Sequence, residues 1–97
     1  MTQAASVLET LYSIKPQLAS QYHIRRFGLF GSVIRGEQTP DSDIDILVEF
    51  DTPPGIFGFL ELEEKLEEAL QAPVDLVDIE GLKPLLRPKI LSEVQYV

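Results

Sequence analysis

Apolar residues recur at helical spacing near the start of the chain. They lie three or four residues apart and comprise Val7, Leu11, Ile14 and Leu18, with Leu8 widening the stripe. This period predicts an amphipathic helix over residues 4–18. Pro16 lies inside the segment and lacks the N–H group that a helix interior uses. We therefore expect a kink or a break there, with the helix in two pieces.

A period of two residues, typical of half-buried strands, governs the middle of the chain. In residues 43–50 apolar and polar positions alternate, which predicts a strand with one apolar face. The apolar positions are Ile44, Ile46, Val48 and Phe50. Residues 24–30 and 72–79 predict two further strands. After the first of these, Gly31 begins a segment with room for about two helical turns before Gly36, a glycine that can end a helix.

A second amphipathic helix is predicted over residues 56–70. Its apolar positions are Phe59, Leu62, Leu66 and Leu70. The glutamates on the rest of its surface are Glu61, Glu63, Glu64, Glu67 and Glu68. This acidic face is typical of a solvated surface, and docking of a basic partner is the alternative. A last helical segment over residues 84–94 is expected to be interrupted at Pro88.

The predicted elements follow one another in the order α-β-α-β-α-β-α. This order predicts a two-layer α/β fold with helices packed on a small mixed sheet. The sequence has no internal repeat, low-complexity tract or linker. We therefore expect a single domain over residues 1–97.

Charge restricts the classes of partner. The 97 residues include 16 acidic and 8 basic ones, for a net charge of −8. Nucleic-acid binding normally rests on Lys and Arg side chains that meet phosphates, so we predict no direct nucleic-acid partner. Clustered carboxylates can instead hold hard cations such as Mg²⁺. The chain has no cysteine, which excludes disulfides and a thiolate zinc site.

No apolar run is long enough to cross a membrane. The first residues carry Glu9 within their apolar pattern and lack the basic start of a signal peptide. These features predict a cytoplasmic protein without a membrane partner.

Two carboxylates mark the start of the predicted strand over residues 43–50. Asp43 and Asp45 emerge on the same side, about 6–7 Å apart along the backbone. Alone they would repel and one would tend to stay protonated, whereas a divalent cation between them removes that penalty. The alternative is that Asp43 belongs to a turn with Asp41, and that Asp45 is a solvated strand residue.

A glycine–serine pair precedes these carboxylates. Gly31 and Ser32 follow a strand and open a short helix, where free backbone N–H groups favour a phosphate. Gly31 allows a close backbone approach, and the Ser32 hydroxyl adds a donor. Alone, the pair fits a tight turn with a helix cap equally well. Combined with the two aspartates, it predicts a phosphate cradle that faces a metal pair.

The combined pattern resembles a known family. Gly31-Ser32, ten intervening residues and Asp43-Ile44-Asp45 match the GS-x10-D-x-D signature of the DNA polymerase β-like nucleotidyltransferases. The stretch "FGSVIRGEQTPDSDIDILVEF" is similar to the minimal nucleotidyltransferase (MNT) branch in particular. The resemblance extends over nearly the whole chain. It implies the nucleotidyltransferase fold.

The resemblance also implies roles for the motif residues. Gly31 and Ser32 would hold the phosphates of ATP, while Asp43 and Asp45 would bind two Mg²⁺ ions. Arg35 fits the "GSxxRG" text of the family, and could contact phosphate or form a structural salt bridge instead.

A third carboxylate is expected on a neighbouring strand, where "VDLVDI" offers Asp75 and Asp78. The two point to opposite faces of the strand. Asp75 matches the family position, which implies a metal ligand and a general base. Asp78, at the end of the strand, is expected to be a cap or a surface charge.

MNT proteins are often encoded beside a HEPN-domain ribonuclease toxin. The resemblance therefore implies a Mg²⁺-dependent enzyme that transfers AMP from ATP to a hydroxyl, such as that of tyrosine, on a partner HEPN toxin, and so acts as its antitoxin. One alternative is a non-catalytic antitoxin that neutralises the toxin by binding. Another is a small-molecule nucleotidyltransferase of the aminoglycoside type, although such enzymes usually carry a further helical domain. The complete set of carboxylates favours the first interpretation.

Overall fold

The computed structural model describes residues 3–97 of the chain. The helices are α1 (Gln3–Tyr22), α2 (Ser32–Arg35), α3 (Gly55–Leu70) and α4 (Arg87–Glu93). The strands are β1 (Ile24–Phe30), β2 (Ile44–Phe50), β3 (Val74–Asp78) and β4 (Gln95–Tyr96), and a 3-10 turn spans Ile79–Gly81. No helix in this part of the chain has the length and apolar character that a membrane crossing requires.

The four strands form one mixed sheet in the order β3-β2-β1-β4. β1 runs antiparallel to both β2 and β4, whereas β2 and β3 are parallel. Helices α1 and α3 pack on one face and cover the main core, to which β2 contributes Ile44, Ile46 and Val48. The opposite face carries a smaller cluster around Phe30 and Leu47, against which residues of α4 pack. The prediction of a mixed sheet with packed helices is confirmed.

The expected interruption of the first helix at Pro16 is wrong. Helix α1 continues through Pro16 without a break. The proline leaves the carbonyl of Tyr12 without its helical partner, but both residues lie on the exposed side of the helix, where water can replace the lost bond. Leu11 and Leu18 are buried before and after the proline, so core packing stabilises the helix on both sides of it.

The last part of the chain also differs from the prediction. Pro88 does not interrupt a helix but lies in the first turn of α4, where a backbone N–H would have no helical partner. Strand β4 was not predicted, and it pairs with β1 opposite Gly28. A Cβ on Gly28 would lie 2.7 Å from the Cα of Tyr96, so a larger residue at this position would exclude the pairing.

Helix α2 is shorter than expected. It forms a single turn rather than two, and it ends at Gly36, which adopts a left-handed conformation with φ of 73°. Arg35 is the last residue of this short helix. It therefore lies close to the end of β1, the strand that precedes the helix.

Candidate active site

The predicted catalytic carboxylates lie at the end of the sheet where β1 ends and β2 and β3 begin. Asp45 is the central member, because its register partners are Phe30 on β1 and Asp75 on β3. Asp43 immediately precedes β2 and is exposed. The structure therefore brings together residues from two strands that are 30 positions apart along the chain (75 − 45).

The surroundings of Asp45 disfavour the ionised form of its carboxyl. Burial raises the pKa of its carboxyl, and the neighbouring Asp75 and Asp43 carboxylates raise it further. The backbone N–H of Ser32 donates to the same carboxylate and lowers the pKa, as does the charge of Arg35. A cation bound beside these oxygens would relieve the repulsion, so the side chains fit a divalent metal. Within residues 3–97, however, no three His, Cys, Asp or Glu side chains form a complete metal site by themselves.

Gly31 lies directly against Asp45. Its φ of 79° and ψ of −152° place it where side chains are strained, and a Cβ there would overlap the Asp45 carboxylate. The glycine therefore allows the backbone to approach the carboxylates. Its N–H donates to Oε2 of Glu93 at 2.6 Å.

Arg35 extends from α2 between two glutamates. Its Nε donates to Oε1 of Glu37 at 2.6 Å, and its NH1 donates to Oε2 and Oε1 of Glu93 at 2.9 and 3.1 Å. The salt bridge left open by the sequence is thus formed. Arg35 also lines the same cleft as Asp45, and because Glu93 occupies its NH1, a phosphate at this guanidinium would meet the Glu93 carboxylate.

The two carboxylates of β3 have different surroundings. Asp75 is exposed and lines the cleft beside Asp45. Asp78 is the N-cap of the 3-10 turn, where its Oδ1 accepts a hydrogen bond from the N–H of Glu80 at 2.9 Å. The prediction that Asp78 is a cap is confirmed.

A cleft of about 360 Å³ joins Gly31, Arg35, Asp45 and Asp75, whereas the predicted site residues Ser32 and Asp43 lie outside its lining. Its lining includes Gly31 and the charged residues Arg35, Asp45, Asp75, Lys89 and Glu93. The apolar lining residues are Phe30, Val77, Leu82, Leu86 and Ile90. The sequence interpretation missed Lys89 and Glu93. The two residues lie four positions apart, a spacing that places them on one face of α4, but no local motif connects that helix to the cleft.

The comparisons with known proteins agree with this geometry. Residues 11–97 match the family described as "Nucleotidyltransferase domain". The chain belongs to this family. It is therefore a nucleotidyltransferase, and the predicted fold and enzyme class are confirmed. Enzymes of this class use a nucleoside triphosphate and a divalent metal.

Several relatives match over all or nearly all of their length. One is the protein adenylyltransferase MntA of Thermococcus cleftensis, with 44% identity over 98 residues that cover 97% of this chain and 99% of the relative.

The solved structures that share the fold include two of toxin–antitoxin proteins. The first is a toxin–antitoxin crystal structure with AMP-PNP, with 29% identity, a TM-score of 0.71, and coverage of 87% of this chain and 69% of the other. The second is a complex of a tri-AMPylated HEPN toxin with an MNT antitoxin from Shewanella oneidensis. It has 25% identity, a TM-score of 0.66, and coverage of 93% of this chain and 70% of the other.

Proposed function

We propose that this nucleotidyltransferase is a protein adenylyltransferase that transfers AMP from ATP to a tyrosine hydroxyl of a HEPN-domain ribonuclease toxin, and that it acts as the antitoxin. The observation that carries the proposal is the alignment of Asp45 with Asp75 across β2 and β3, with Gly31 against Asp45. This arrangement places several negative charges beside a backbone that can approach a phosphate closely.

The carboxylates of Asp43, Asp45 and Asp75 are the groups that would hold two Mg²⁺ ions. Bound Mg²⁺ would supply charge neutralisation for the triphosphate and would lower the pKa of the acceptor hydroxyl. Gly31, Ser32 and Arg35 would bind the phosphates.

The transfer would be an in-line displacement at the α-phosphorus. The acceptor oxygen forms a bond to this phosphorus while the bond from the phosphorus to the bridging oxygen of pyrophosphate breaks. Asp75 would accept the proton that the hydroxyl loses, because it is exposed at the open side of the cleft. Pyrophosphate leaves with the electron pair of the broken bond.

A protein acceptor is supported by the surface beside the cleft. Leu86 lines the cleft and is 50% exposed, and the adjacent Leu85 is 94% exposed. Leu85 lies outside the lining of the cleft, so a nucleotide bound there would leave it uncovered, whereas a folded protein could bury both leucines. The names of the relatives support the same class of acceptor, since one is a protein adenylyltransferase and another is seen with an AMPylated HEPN toxin.

The test is to incubate the chain with Mg²⁺, ATP and a HEPN-domain ribonuclease toxin, sought first among the products of the neighbouring genes, and to measure the intact mass of that protein. We expect an increase of one or more AMP units together with loss of ribonuclease activity. Asp43→Asn should abolish the increase, whereas Asp41→Asn in the exposed turn should not. Inhibition of the toxin without any gain in mass would contradict the proposal and would favour a non-catalytic antitoxin.

A further inference from the structure

Glu93, the last residue of α4, contacts two of the three residues proposed to bind phosphate. Its Oε2 accepts the Gly31 N–H at 2.6 Å and the Arg35 NH1 at 2.9 Å, while its Oε1 lies 3.1 Å from the same NH1. The side chain is only 16% exposed. The carboxylate therefore uses the backbone donor and the cation that a phosphate group would use.

These contacts have a clear energetic role in the nucleotide-free protein. Gly31 is buried, and a buried N–H without an acceptor costs about 1–3 kcal/mol. A carboxylate is the protein group most similar to phosphate, since it is anionic and presents paired oxygens to an arginine. Glu93 thus satisfies the donor and balances the cation.

We propose that Glu93 is a phosphate placeholder, which the triphosphate must displace in order to bind. This inference rests on the proposed function, because it assumes that Gly31 and Arg35 bind the nucleotide. The Gly31 N–H carries one hydrogen, and the Glu93 carboxylate and a phosphate oxygen would repel each other at that donor. Binding of the nucleotide and retention of the Gly31–Glu93 hydrogen bond therefore exclude one another.

Helix α4 offers the displaced carboxylate a second partner. Lys89 lies one turn earlier on the helix and lines the same cleft. Among residues 3–97, no carboxylate forms an ion pair with Lys89. A Lys and a Glu four residues apart on a helix are within reach of each other, so Glu93 can move from Gly31 toward Lys89 when phosphate arrives.

The expected consequence is a reduced affinity for nucleotide, because part of the binding free energy is used to displace Glu93. Glu93→Gln keeps the size of the side chain and an acceptor oxygen but removes the charge. We expect this variant to bind AMP-PNP in the presence of Mg²⁺ about tenfold more tightly than the wild type, equal to about 1.4 kcal/mol. Inorganic tripolyphosphate should show the same gain, since the competition concerns the phosphates alone.

Glu37→Gln is the matched control. Glu37 also pairs with Arg35, but it is 62% exposed and does not contact Gly31. Its substitution should change the affinity by less than about twofold. Both affinities are measured by isothermal titration calorimetry on variants whose thermal unfolding shows that they are folded, with Glu93→Ala as a second variant.

The outcomes separate this inference from the proposed function. Equal or weaker binding by Glu93→Gln and Glu93→Ala, while the wild type binds AMP-PNP, overturns the placeholder and leaves the proposed function intact. Gains of similar size in the Glu93 and Glu37 variants also overturn it, because they assign the effect to Arg35 alone. A folded wild type that binds neither AMP-PNP nor tripolyphosphate overturns the proposed function and the inference with it.

Discussion

Burial and two neighbouring carboxylates together raise the pKa of Asp45. Its raised pKa means that the folded state holds the proton more tightly than the unfolded state. This contribution to stability is present at acidic pH and is lost as the pH rises through the folded pKa, so the ionised side chain destabilises the metal-free protein at pH 7.

We therefore expect Asp45→Asn to hold or raise the melting temperature without Mg²⁺, while AMP transfer is abolished. Asn retains an oxygen that can accept the Ser32 N–H, and it removes the repulsion with Asp75 and Asp43. Calorimetry with and without Mg²⁺ should show that the metal stabilises the wild type and not the variant. Asp41→Asn serves as the control, and full transfer activity in Asp45→Asn would contradict the site assignment.

The two aspartates of β3 give a second prediction. Asp75→Asn should lower the single-turnover rate of transfer by about a hundredfold or more, because its role is at the acceptor hydroxyl. It should leave the affinity for AMP-PNP within a few-fold of the wild type. Asp78→Asn should keep a near-normal rate, since Asn can still cap the 3-10 turn through its side-chain oxygen. A larger loss of rate in Asp78→Asn would show that the wrong face of the strand was chosen.

At the residue scale, the sequence revealed the motif residues that are close together along the chain. Gly31, Asp43 and Asp45 lie within residues 31–45, and strand alternation alone places Asp43 and Asp45 on one face. Glu93 is 62 positions from Gly31, and their contact depends on how α4 packs against the sheet. A glutamate near a helix end has no sequence signal that distinguishes it from a solvated surface charge.

At the element scale, two of the glutamates of α3 accept hydrogen bonds from the backbone of β3. Glu67 accepts the N–H of Val74 at 3.0 Å, and Glu63 accepts the N–H of Leu76 at 3.3 Å. β3 is an edge strand, so these amides lack a neighbouring strand on that side. The acidic face that the sequence predicted to be solvated therefore also covers the edge of the sheet.

Helices α1 and α3 are joined by a hydrogen bond from the Tyr22 hydroxyl to Oε1 of Glu61 at 2.7 Å. Burial and this bond to a carboxylate raise the pKa of Tyr22 to about 12. Between about pH 10 and pH 12 an unfolded tyrosine loses its proton while the folded one keeps it. The free energy of unfolding should therefore fall as the pH rises through this range.

The measurement is urea unfolding of the wild type and Tyr22→Phe at pH 8, 10 and 11. The difference in unfolding free energy should favour the wild type at pH 8 and shrink toward pH 11, because only the wild type loses the contribution of this proton. Tyr12 is 71% exposed, so Tyr12→Phe should follow the pH profile of the wild type. A constant difference between the wild type and Tyr22→Phe would contradict the role of the hydrogen bond.

The elements that the sequence mispredicted depend on surroundings that local sequence rules do not include. Pro16 and Pro88 are helix breakers by local rules, yet an exposed carbonyl in the first case and a first-turn position in the second make them harmless. β4 has only two residues, and its pairing depends on the absence of a side chain at Gly28 on a distant strand. The longer strands and helices were predictable because their apolar periods coincide with the core.

At the scale of the whole molecule, the excess of acidic residues leaves few cations free to meet a polyanion. The chain has 8 basic residues against 16 acidic ones. Within residues 3–97, four of the eight form ion pairs with carboxylates, and these are Arg25, Arg26, Arg35 and Lys65. A nucleic-acid acceptor would therefore be repelled over most of the surface.

We accordingly expect no AMP transfer to RNA or DNA. A fluorescent single-stranded oligonucleotide should show no increase in anisotropy with micromolar protein at low salt, where electrostatic attraction would be strongest. In a reaction that contains the oligonucleotide, the HEPN-domain protein, Mg²⁺ and ATP, intact mass should show AMP on the protein alone. The protein acceptor is the internal control, because its modification proves that the enzyme is active in the same tube. Extension of the oligonucleotide by adenylate at a comparable rate would contradict the assignment of a protein acceptor, and would mean that local contacts in the cleft overcome the repulsion from the net charge of −8.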